Sequence, residues 1–253
     1  MPIGAIVHRL DSVSSTNDAA RALALDGAAH GTAVIAWEQS RGRGTKGRTW
    51  HSPPGLGLYA SFILRGPGGG PVPFPHLLPL AGGLAASDAV LAAAGIEVRL
   101  KWPNDLVHGG KKLGGILTEG VTGAAGGDFA VIGMGVNVGH GPMDFPAELR
   151  ASSTSLRLAG GRAATVESLF DGLCPALDCW YNALARGEKE LVVRTFEARL
   201  AFPPGASVRV TAAAGAFVGI CRGLDAEGRL VVERAGPAGT AVLDTVLDLD
   251  AAS

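Results

Sequence analysis

A glycine-rich loop that carries several cations is the first segment of this sequence able to do chemistry. Residues 42–49 (GRGTKGRT) fit the G-x-G-x-x-G dinucleotide pattern, and they also fit a phosphate loop with Arg48 in place of its lysine. Both motifs need a helix directly after the loop, but residues 50–55 (WHSPPG) contain two prolines and a glycine and cannot sustain one. We therefore reject both motifs.

What the loop retains is a flexible backbone and positive charge. Glycines let a ligand approach the backbone closely, and the charge suits a polyphosphate. The cations of the loop are Arg41, Arg43, Lys46 and Arg48. A solvated surface loop is the alternative. Trp50 follows the loop and is able to stack on a base, although a tryptophan beside a strand is more often part of the core.

A second constellation lies where a predicted strand ends. Residues 101–106 (KWPNDL) close that strand, and residues 111–116 (KKLGGI) begin seven positions after Asn104. A Gly-Gly turn separates the two segments, so they form a predicted hairpin that brings the carboxylate of Asp105 to the amine of Lys112. Lys112 leads into an apolar segment, where a buried lysine needs a carboxylate or a bound anion as its partner. A plain turn at Asp105 and a solvated Lys112 are the alternatives.

The segments that position these residues alternate between strand and helix patterns. Short apolar runs predict strands at 5–10, 32–37, 57–64, 97–102, 106–108, 112–121 and 128–138. Helical spacing of apolar residues predicts helices at 14–27, 76–94 and 165–200, the last with a break near Gly187. Residues 14–17 are expected to cap the first helix with their side chains, and Gly95 is expected to end the second.

From Pro203 onward the pattern changes to short β-like runs between Gly-rich turns. These runs are 207–211, 216–221, 229–234 and 240–249. They predict a small β-barrel-like domain of about 50 residues. We therefore expect a larger domain over 1–202, which holds both constellations, and a small C-terminal domain over 203–253.

The composition fits a globular protein and excludes several function classes. The chain has 253 residues, 47% hydrophobic and 18% charged, which is enough for one sizeable core with or without a small satellite domain. A protein with a net charge of −1 lacks the positive electrostatic field that drives non-specific binding to DNA or anionic lipid. No stretch reaches the roughly 18 uninterrupted apolar residues of a membrane span. Cys174, Cys179 and Cys221 form no disulfide framework, and neither they nor the histidines have metal spacing, so we expect a cytoplasmic protein without a structural metal.

Taken together, these segments resemble the biotin protein ligase family. The matching segments are collinear with that family and run through most of the chain: Ser15-Thr16-Asn17, Glu38-Gln39, Gly42 to Arg48 with Trp50, Lys101 to Leu106, Lys112 to Leu117 with Glu119, and Gly133 to Val138. The β-rich tail resembles the small carboxy-terminal domain of those enzymes. The DNA-binding domain of the repressor members has no counterpart before the first predicted strand, so the chain resembles the ligase-only form.

The resemblance implies a fold and a reaction. The fold is of the α/β (α+β) class, with a mixed β-sheet flanked by helices as in class II aminoacyl-tRNA synthetases and biotinyl protein ligases, and with a small C-terminal SH3-like β-barrel beside the site. The reaction joins biotin to ATP with release of pyrophosphate, and then passes the biotinyl group from biotinyl-5′-AMP to one lysine of a biotin carboxyl carrier protein domain. The implied partners are biotin, ATP, Mg²⁺ and the carrier domain, with no DNA and no membrane; some members form homodimers.

The resemblance also implies roles for individual residues. Lys112 is expected between the biotin carboxylate and the α-phosphate, with Arg43 and Arg48 on the phosphates. Asp105 is expected to hold Lys112 or to help place Mg²⁺. Ser15, Thr16 and Gln39 correspond to residues that hydrogen-bond biotin. The full set implied for binding biotin and the adenylate is Ser15, Thr16, Asn17, Gln39, Gly42, Gly44, Thr45, Lys46, Trp50, Asn104, Gly115 and Asn137.

One position departs from the family's pattern. The loop commonly reads Gly-Arg-Gly-Arg, but the second arginine is Thr45 here. Either Arg41 or Lys46 partly substitutes for the missing cation, or the intermediate is held less tightly.

Two other functions stay open from the sequence. A lipoate protein ligase shares the catalytic architecture, although the basic loop with Trp50 and the KWPND string favour biotin. A non-catalytic regulator that binds biotin or a nucleotide is the alternative outside the enzymes.

Overall fold

The computed structural model describes residues 1–123, 127–213, 215–234, 239–244, 246 and 248–252. The strands of its main sheet are β1 (Val7–Val13), β2 (Ala33–Gln39), β3 (Gly57–Leu64), β4 (Arg99–Lys101), β5 (Asp105–His108), β6 (Lys111–Val121) and β7 (Phe129–Asn137). They lie in the order β1-β2-β3-β7-β6-β5-β4. β1 and β2 are parallel and the other neighbours are antiparallel, so the sheet is mixed, as expected.

One face of this sheet carries the main hydrophobic core. Helix α2 (Leu78–Ala94) lies against the sheet, and α3 (Val166–Ala185) and α4 (Lys189–Ala198) pack over α2. Residues 75–94 are long and apolar enough to cross a membrane, but 72% of their most apolar window is buried inside the protein. Their apolar character on all sides reflects a helix that has the sheet on one side and other helices on the other.

The opposite face of the sheet is covered only in part by helix α1 (Thr16–Leu25). Ala20 and Ala24 of α1 pack on Val34, Ile63 and their neighbours in a smaller apolar cluster. Farther along the same face, Ser61 and Gly133 lie under Asn17 of α1, and Gly133 and Gly135 border an open cavity.

The C-terminal part of the chain forms a second sheet. Its strands are β8 (Ser207–Ala212), β9 (Gly215–Leu224), β10 (Leu230–Arg234), β11 (Thr240–Leu243) and β12 (Asp248–Ala251), antiparallel in the order β11-β10-β9-β8-β12. The buried Trp102, just after β4, donates from Nε1 to the carbonyl of Gly228 at 2.9 Å. The small sheet is thereby attached where the chain leaves β4 for the β5–β6 hairpin.

The predicted elements are present, with several differences at their bounds and in one helix cap. β1 begins at Val7 rather than at residue 5. The predicted run 240–249 divides into β11 and β12; Thr245 and Leu247 within it lie outside the described residues. The predicted side-chain cap of α1 is wrong, because Ser15 is the N-cap but makes no capping hydrogen bond. The amide of Thr16 donates instead to Gln39 Oε1 at 2.8 Å, a partner brought by β2 that local sequence did not reveal.

Candidate active site

A cavity of about 600 Å³ opens on the α1 side of the main sheet. Its floor is formed by alternate residues of β7, because Gly133, Gly135 and Asn137 face the cavity while Met134 and Val136 point into the core. Gly115 on β6 lies opposite Gly135 and extends the floor. Glycine at these positions leaves room for other groups to approach the strands closely.

Polar side chains at one end of the cavity hold one another in place. Thr16 donates to Gln39 Oε1 from its amide at 2.8 Å and from its hydroxyl at 3.1 Å, and Gln39 Nε2 donates to Ser52 Oγ at 2.8 Å. Ser61 on β3 donates to Asn17 Oδ1 at 2.6 Å. These groups therefore present hydrogen-bonding atoms in fixed positions, as recognition of a polar ring edge requires.

The pairing of Asp105 with Lys112 that the hairpin predicted is formed. Lys112 Nζ lies 2.6 Å from Asp105 Oδ1, and the Asp105 side chain is only 16% exposed. The pairing of β5 with β6 contains a bulge, since Asp105 lies opposite Gly115 whereas Val107, two residues on, lies opposite Lys112. Without the extra residue, Lys112 and Gly115 would point to opposite faces of the sheet. The bulge turns Lys112 into the cavity.

Hydrogen bonds to the backbone fix the hairpin at both ends. Asn104 Nδ2 donates to the Ile116 carbonyl at 2.8 Å, and the Ile116 amide donates to the Asn104 carbonyl at 2.9 Å. Lys112 is bound through its own amide and carbonyl to residues 152–154, and Asn137 Nδ2 donates to a carbonyl of the same segment at 2.9 Å. The Asp105–Lys112 pair therefore sits on backbone that is held on both sides.

The basic loop folds over the cavity as a short hairpin. The Gly44 amide donates to the Arg48 carbonyl at 2.7 Å, and the Trp50 amide donates to the Gly42 carbonyl at 2.9 Å. Lys46 at the turn has a φ of 60°. No helix follows the loop, which confirms the reason for rejecting the two phosphate motifs.

Trp50 lies inside the cavity rather than in the hydrophobic core. Its ring centroid is 5.5 Å from Lys112 Nζ, within the range of a cation–π contact. A Cβ on Gly135 would lie 2.5 Å from the indole, so only glycine at this position lets the ring rest on β7. The end of the basic loop is thus in direct contact with Lys112 and with the cavity floor.

The loop's cations face different surroundings. Arg48 lines both the main cavity and a second cavity of about 680 Å³ on the outer side of the loop, whereas Lys46 lines the second one. Burial, followed by the charge of Arg48, lowers the pKa of Lys46. Arg43 Nη2 lies 2.7 Å from Asp18 Oδ1 and 2.8 Å from Glu119 Oε2. The guanidinium implied for the phosphates is therefore paired with two carboxylates.

The C-terminal sheet contributes to the wall of the cavity. Lys101 Nζ donates to Asp248 Oδ1 at 3.0 Å and to Asp250 Oδ1 at 2.9 Å, and all three residues line the cavity. Burial by itself would lower the pKa of Lys101, but the hydrogen bonds with Asp250 and Asp248 outweigh it and the net pKa is raised. Burial would raise the pKa of Asp248, but the bond from Lys101 leaves it lowered. Both shifts favour the ionised pair that joins the two sheets.

The structure brings nearly all of the predicted site residues to this cavity. The exceptions are Gly42 and Lys46, which line the outer cavity. Residues at the site to which sequence reasoning assigned no role include Ser61, Lys101, Asp248 and Asp250. The alternating glycines of GMGVNV were a usable signal, since glycine inside a strand marks a close approach. Asp248 and Asp250 offered none, because they lie far from the loop in sequence.

Comparison with known proteins agrees with this site. The family model described as "Biotin/lipoate A/B protein ligase family" matches residues 10–137. A biotin–[acetyl-CoA-carboxylase] ligase of Paracoccus denitrificans is 34% identical over 92% of this chain and 96% of its own length. The bifunctional ligase/repressor BirA of Bacillus subtilis is 34% identical over 88% of this chain and 68% of its own. The structure of a biotin protein ligase from Aquifex aeolicus in complex with biotin and ATP superposes with a TM-score of 0.80 at 26% identity, covering 98% of this chain and all of that one.

The fold and the cavity define the class of protein first: a ligase with a mixed sheet, helices on its faces and a small C-terminal β-sheet domain. The family follows from the sequence match over half of the chain and from a relative that is 34% identical along nearly its whole length. The chain belongs to the biotin/lipoate A/B protein ligase family.

Proposed function

We propose that this protein activates biotin with ATP and transfers it to a carrier protein. In the first step, a biotin carboxylate oxygen bonds to the α-phosphorus of ATP and the bond to pyrophosphate breaks. In the second, the amine of an acceptor lysine attacks the biotinyl carbonyl, AMP leaves, and the amine loses a proton. The observation that carries the proposal is Lys112, paired with Asp105 at 2.6 Å and facing a cavity beneath the basic loop.

Electrostatics explains why a lysine is needed at this point. Adenylation presses a carboxylate against the α-phosphate, and at about 4 Å and an effective dielectric near 20 their repulsion is on the order of 4 kcal/mol. In the proposed arrangement, Lys112 lies between these groups and stabilises the charge that develops in the transition state. Asp105 holds the Lys112 amine in place at the cavity, while Arg48 on the cavity wall supplies a second cation.

The hydrogen-bonded side chains at the other end of the cavity (Thr16, Asn17, Gln39, Ser52 and Ser61) fit the biotin head group, and we call them the head-group network. The polar groups of Ser15, Thr16 and Gln39 would bond the ureido ring, and the glycines of β7 leave space for the apolar body. Trp50, Asn104 and Asn137 would lie near the adenylate. Loop residues above the cavity exclude water, which would otherwise hydrolyse the mixed anhydride.

A magnesium ion fits this site as an ion that arrives with ATP. Among the described residues, no cluster of three or more His, Cys, Asp or Glu side chains could hold a metal by itself. Mg²⁺ in nucleotide sites is held by substrate phosphates and waters with one or two carboxylates, and Asp105 on the cavity wall supplies one. When bound, the ion would neutralise phosphate charge.

The test is direct. Purified protein is incubated with biotin, MgATP and a biotin carboxyl carrier domain, and mass spectrometry follows biotinylation of the carrier while pyrophosphate release is measured. Lipoate in place of biotin forms the second arm. Pyrophosphate release with lipoate but not with biotin would favour a lipoate ligase. Binding of biotin without formation of an adenylate would favour a non-catalytic regulator.

The Lys112→Ala variant provides the sharper prediction. We expect adenylate formation to fall by about two to four orders of magnitude, since the electrostatic stabilisation of the transition state is lost. Biotin binding, measured by calorimetry, should persist because the head-group network is built from residues other than Lys112. The matched control is Lys111→Ala, which removes an exposed lysine next to it. Near-normal adenylate formation in Lys112→Ala would remove this residue from the chemistry.

Several finer points belong to the same proposal. The carrier domain, rather than DNA or a membrane, is the macromolecular partner, and the net charge of −1 supports this. The three free cysteines support a cytoplasmic location.

We divide the chain into a catalytic domain over 1–202 and a small domain over 203–253, in line with the second sheet that begins at β8. A homodimer stays a prediction that sedimentation analysis would test.

A further inference from the structure

One amino group of Arg43 is held by two carboxylates from different elements. Arg43 Nη2 contacts Asp18 Oδ1 of α1 at 2.7 Å and Glu119 Oε2 of β6 at 2.8 Å. A guanidinium nitrogen of this kind has two hydrogens, so each carboxylate takes one. The basic loop is therefore tied at its beginning both to the helix and to the sheet.

Glu119 is itself held in place by a hydrogen bond from Asn17. Its Oε2 also accepts a hydrogen bond from Asn17 Nδ2 at 2.7 Å, and Asn17 Oδ1 accepts one from Ser61 Oγ at 2.6 Å. Asn17 is only 3% exposed, and a Cβ on Gly133 would overlap its amide. The carboxylate that receives Arg43 is thus part of the polar network at the head-group end of the cavity.

The loop hairpin carries this attachment to the catalytic lysine. Arg43 forms a β-bridge with Thr49, and the Trp50 amide is bonded to the Gly42 carbonyl on the other side of Arg43. Trp50 in turn lies over Lys112 and on Gly135. A bond that fixes Arg43 therefore also fixes the strand of the loop that places the indole in the cavity.

We propose that Asp18 and Glu119 are positioning residues that clasp Arg43 and hold the basic loop closed over the cavity. This inference deepens the proposed function, because a closed loop retains biotinyl-5′-AMP until the acceptor arrives. Arg43 then acts on the loop rather than on the phosphates, and Arg48 is the cavity-facing arginine of the loop left for them. The clasp is partly solvated, with Arg43 41% and Asp18 51% exposed, so it is strong enough to bias the loop and weak enough to open.

Hydrogen exchange of the purified protein without added ligands tests the clasp directly. In Asp18→Asn with Glu119→Gln, we expect the amides of Gly44 and Trp50 to exchange about three- to tenfold faster than in the wild type, as the loss of two partly exposed pairs predicts. The single variant Asp18→Glu keeps both carboxylates, so these amides should exchange as slowly as in the wild type. Asp26→Asn removes a carboxylate at the other end of α1 and is the matched control. Unchanged exchange in the double variant would overturn the proposal.

A second measurement separates a clasp from general loss of structure. With biotin and MgATP, the double variant should release biotinyl-5′-AMP about three- to tenfold faster, while its thermal unfolding midpoint stays near that of the wild type. Faster release with a matching fall in the midpoint would count against a positioning role. If the wild type formed no adenylate, the proposed function would fail, but the exchange experiment would still decide the clasp.

Discussion

At the scale of single residues, Thr45 stands where the resemblance to biotin protein ligases leads us to expect an arginine. Thr45 lines the cavity, whereas Arg41 and Lys46, the residues expected to substitute for the missing arginine, line the outer cavity. Their placement favours the other expectation, that the intermediate is held less tightly. Arg43 is engaged by Asp18 and Glu119, which leaves Arg48 as the loop arginine on the cavity side that has no carboxylate partner among the described residues.

Thr45→Arg should therefore slow the release of biotinyl-5′-AMP. A charge-assisted hydrogen bond to the phosphate contributes about 1.5 kcal/mol or more, which corresponds to about a tenfold lower release rate. Rapid filtration of the preformed adenylate complex measures that rate. Ser40→Arg, which adds the same charge on the outer side of the loop, is the control. An unchanged release rate in Thr45→Arg would contradict the expectation.

At the scale of elements, β7 supplies the floor of the site through its alternation. Gly133, Gly135 and Asn137 share the cavity face. The two glycines admit the Asn17 amide and the Trp50 ring, and Asn137 holds the segment beside Lys112. The residues between them are buried in the core. One face of the GMGVNV segment thus packs in the core, and the other face leaves space for a ligand.

Replacement of Gly133 by alanine should displace Asn17. The added methyl group overlaps the Asn17 amide, and overpacking of this kind costs about 1–3 kcal/mol in the free energy of unfolding. Biotin affinity should fall as well, because Asn17 is joined to the head-group network through Ser61. Urea unfolding and calorimetry measure the two effects. Gly120→Ala on β6, where a Cβ meets nothing within 4 Å, should change neither.

At the scale of the whole molecule, Lys101 joins the two sheets beside the active site. It bonds Asp248 and Asp250 of β12, and Trp102 next to it bonds the Gly228 carbonyl. These hydrogen bonds hold residues 101–102, which lead directly into Asn104 and Asp105. The C-terminal sheet therefore supports the hairpin of Asp105 and Lys112 as well as lining the cavity.

This link predicts a pH dependence of stability. Asp248 has a pKa below its ordinary value in the folded protein, so its contribution is present above about pH 4 and is lost as the pH falls through the lowered pKa. Because both carboxylates are more than half exposed, Lys101→Met should cost only about 1 kcal/mol at pH 7. Urea unfolding of wild type and variant from pH 7 to pH 3 should show this difference shrinking. A constant difference, or an equal effect of Lys111→Met, would refute the link.

The sequence by itself determined the features that depend on neighbouring residues. The order of strands and helices, the absence of a helix after the basic loop, and the approach of Asp105 to Lys112 across a hairpin all follow from local pattern, because the chain segments involved are adjacent. Matches to the family's segments pointed to further cavity residues such as Gln39 and Asn137, although their roles stay predictions, and they gave no sign of Asp248 or Asp250. Local pattern did not reveal how these segments face one another.

The tertiary structure decided which side chains meet across long stretches of chain. Gln39 rather than Ser15 binds the first amide of α1, and Arg43 pairs with Glu119, 76 positions away. The bulge that turns Lys112 into the cavity depends on the register between β5 and β6. Side chains alternate with a period of two along a strand, so a shift of one residue moves a group to the other face. That register is set by the packing of the whole sheet, which no local segment of the sequence contains.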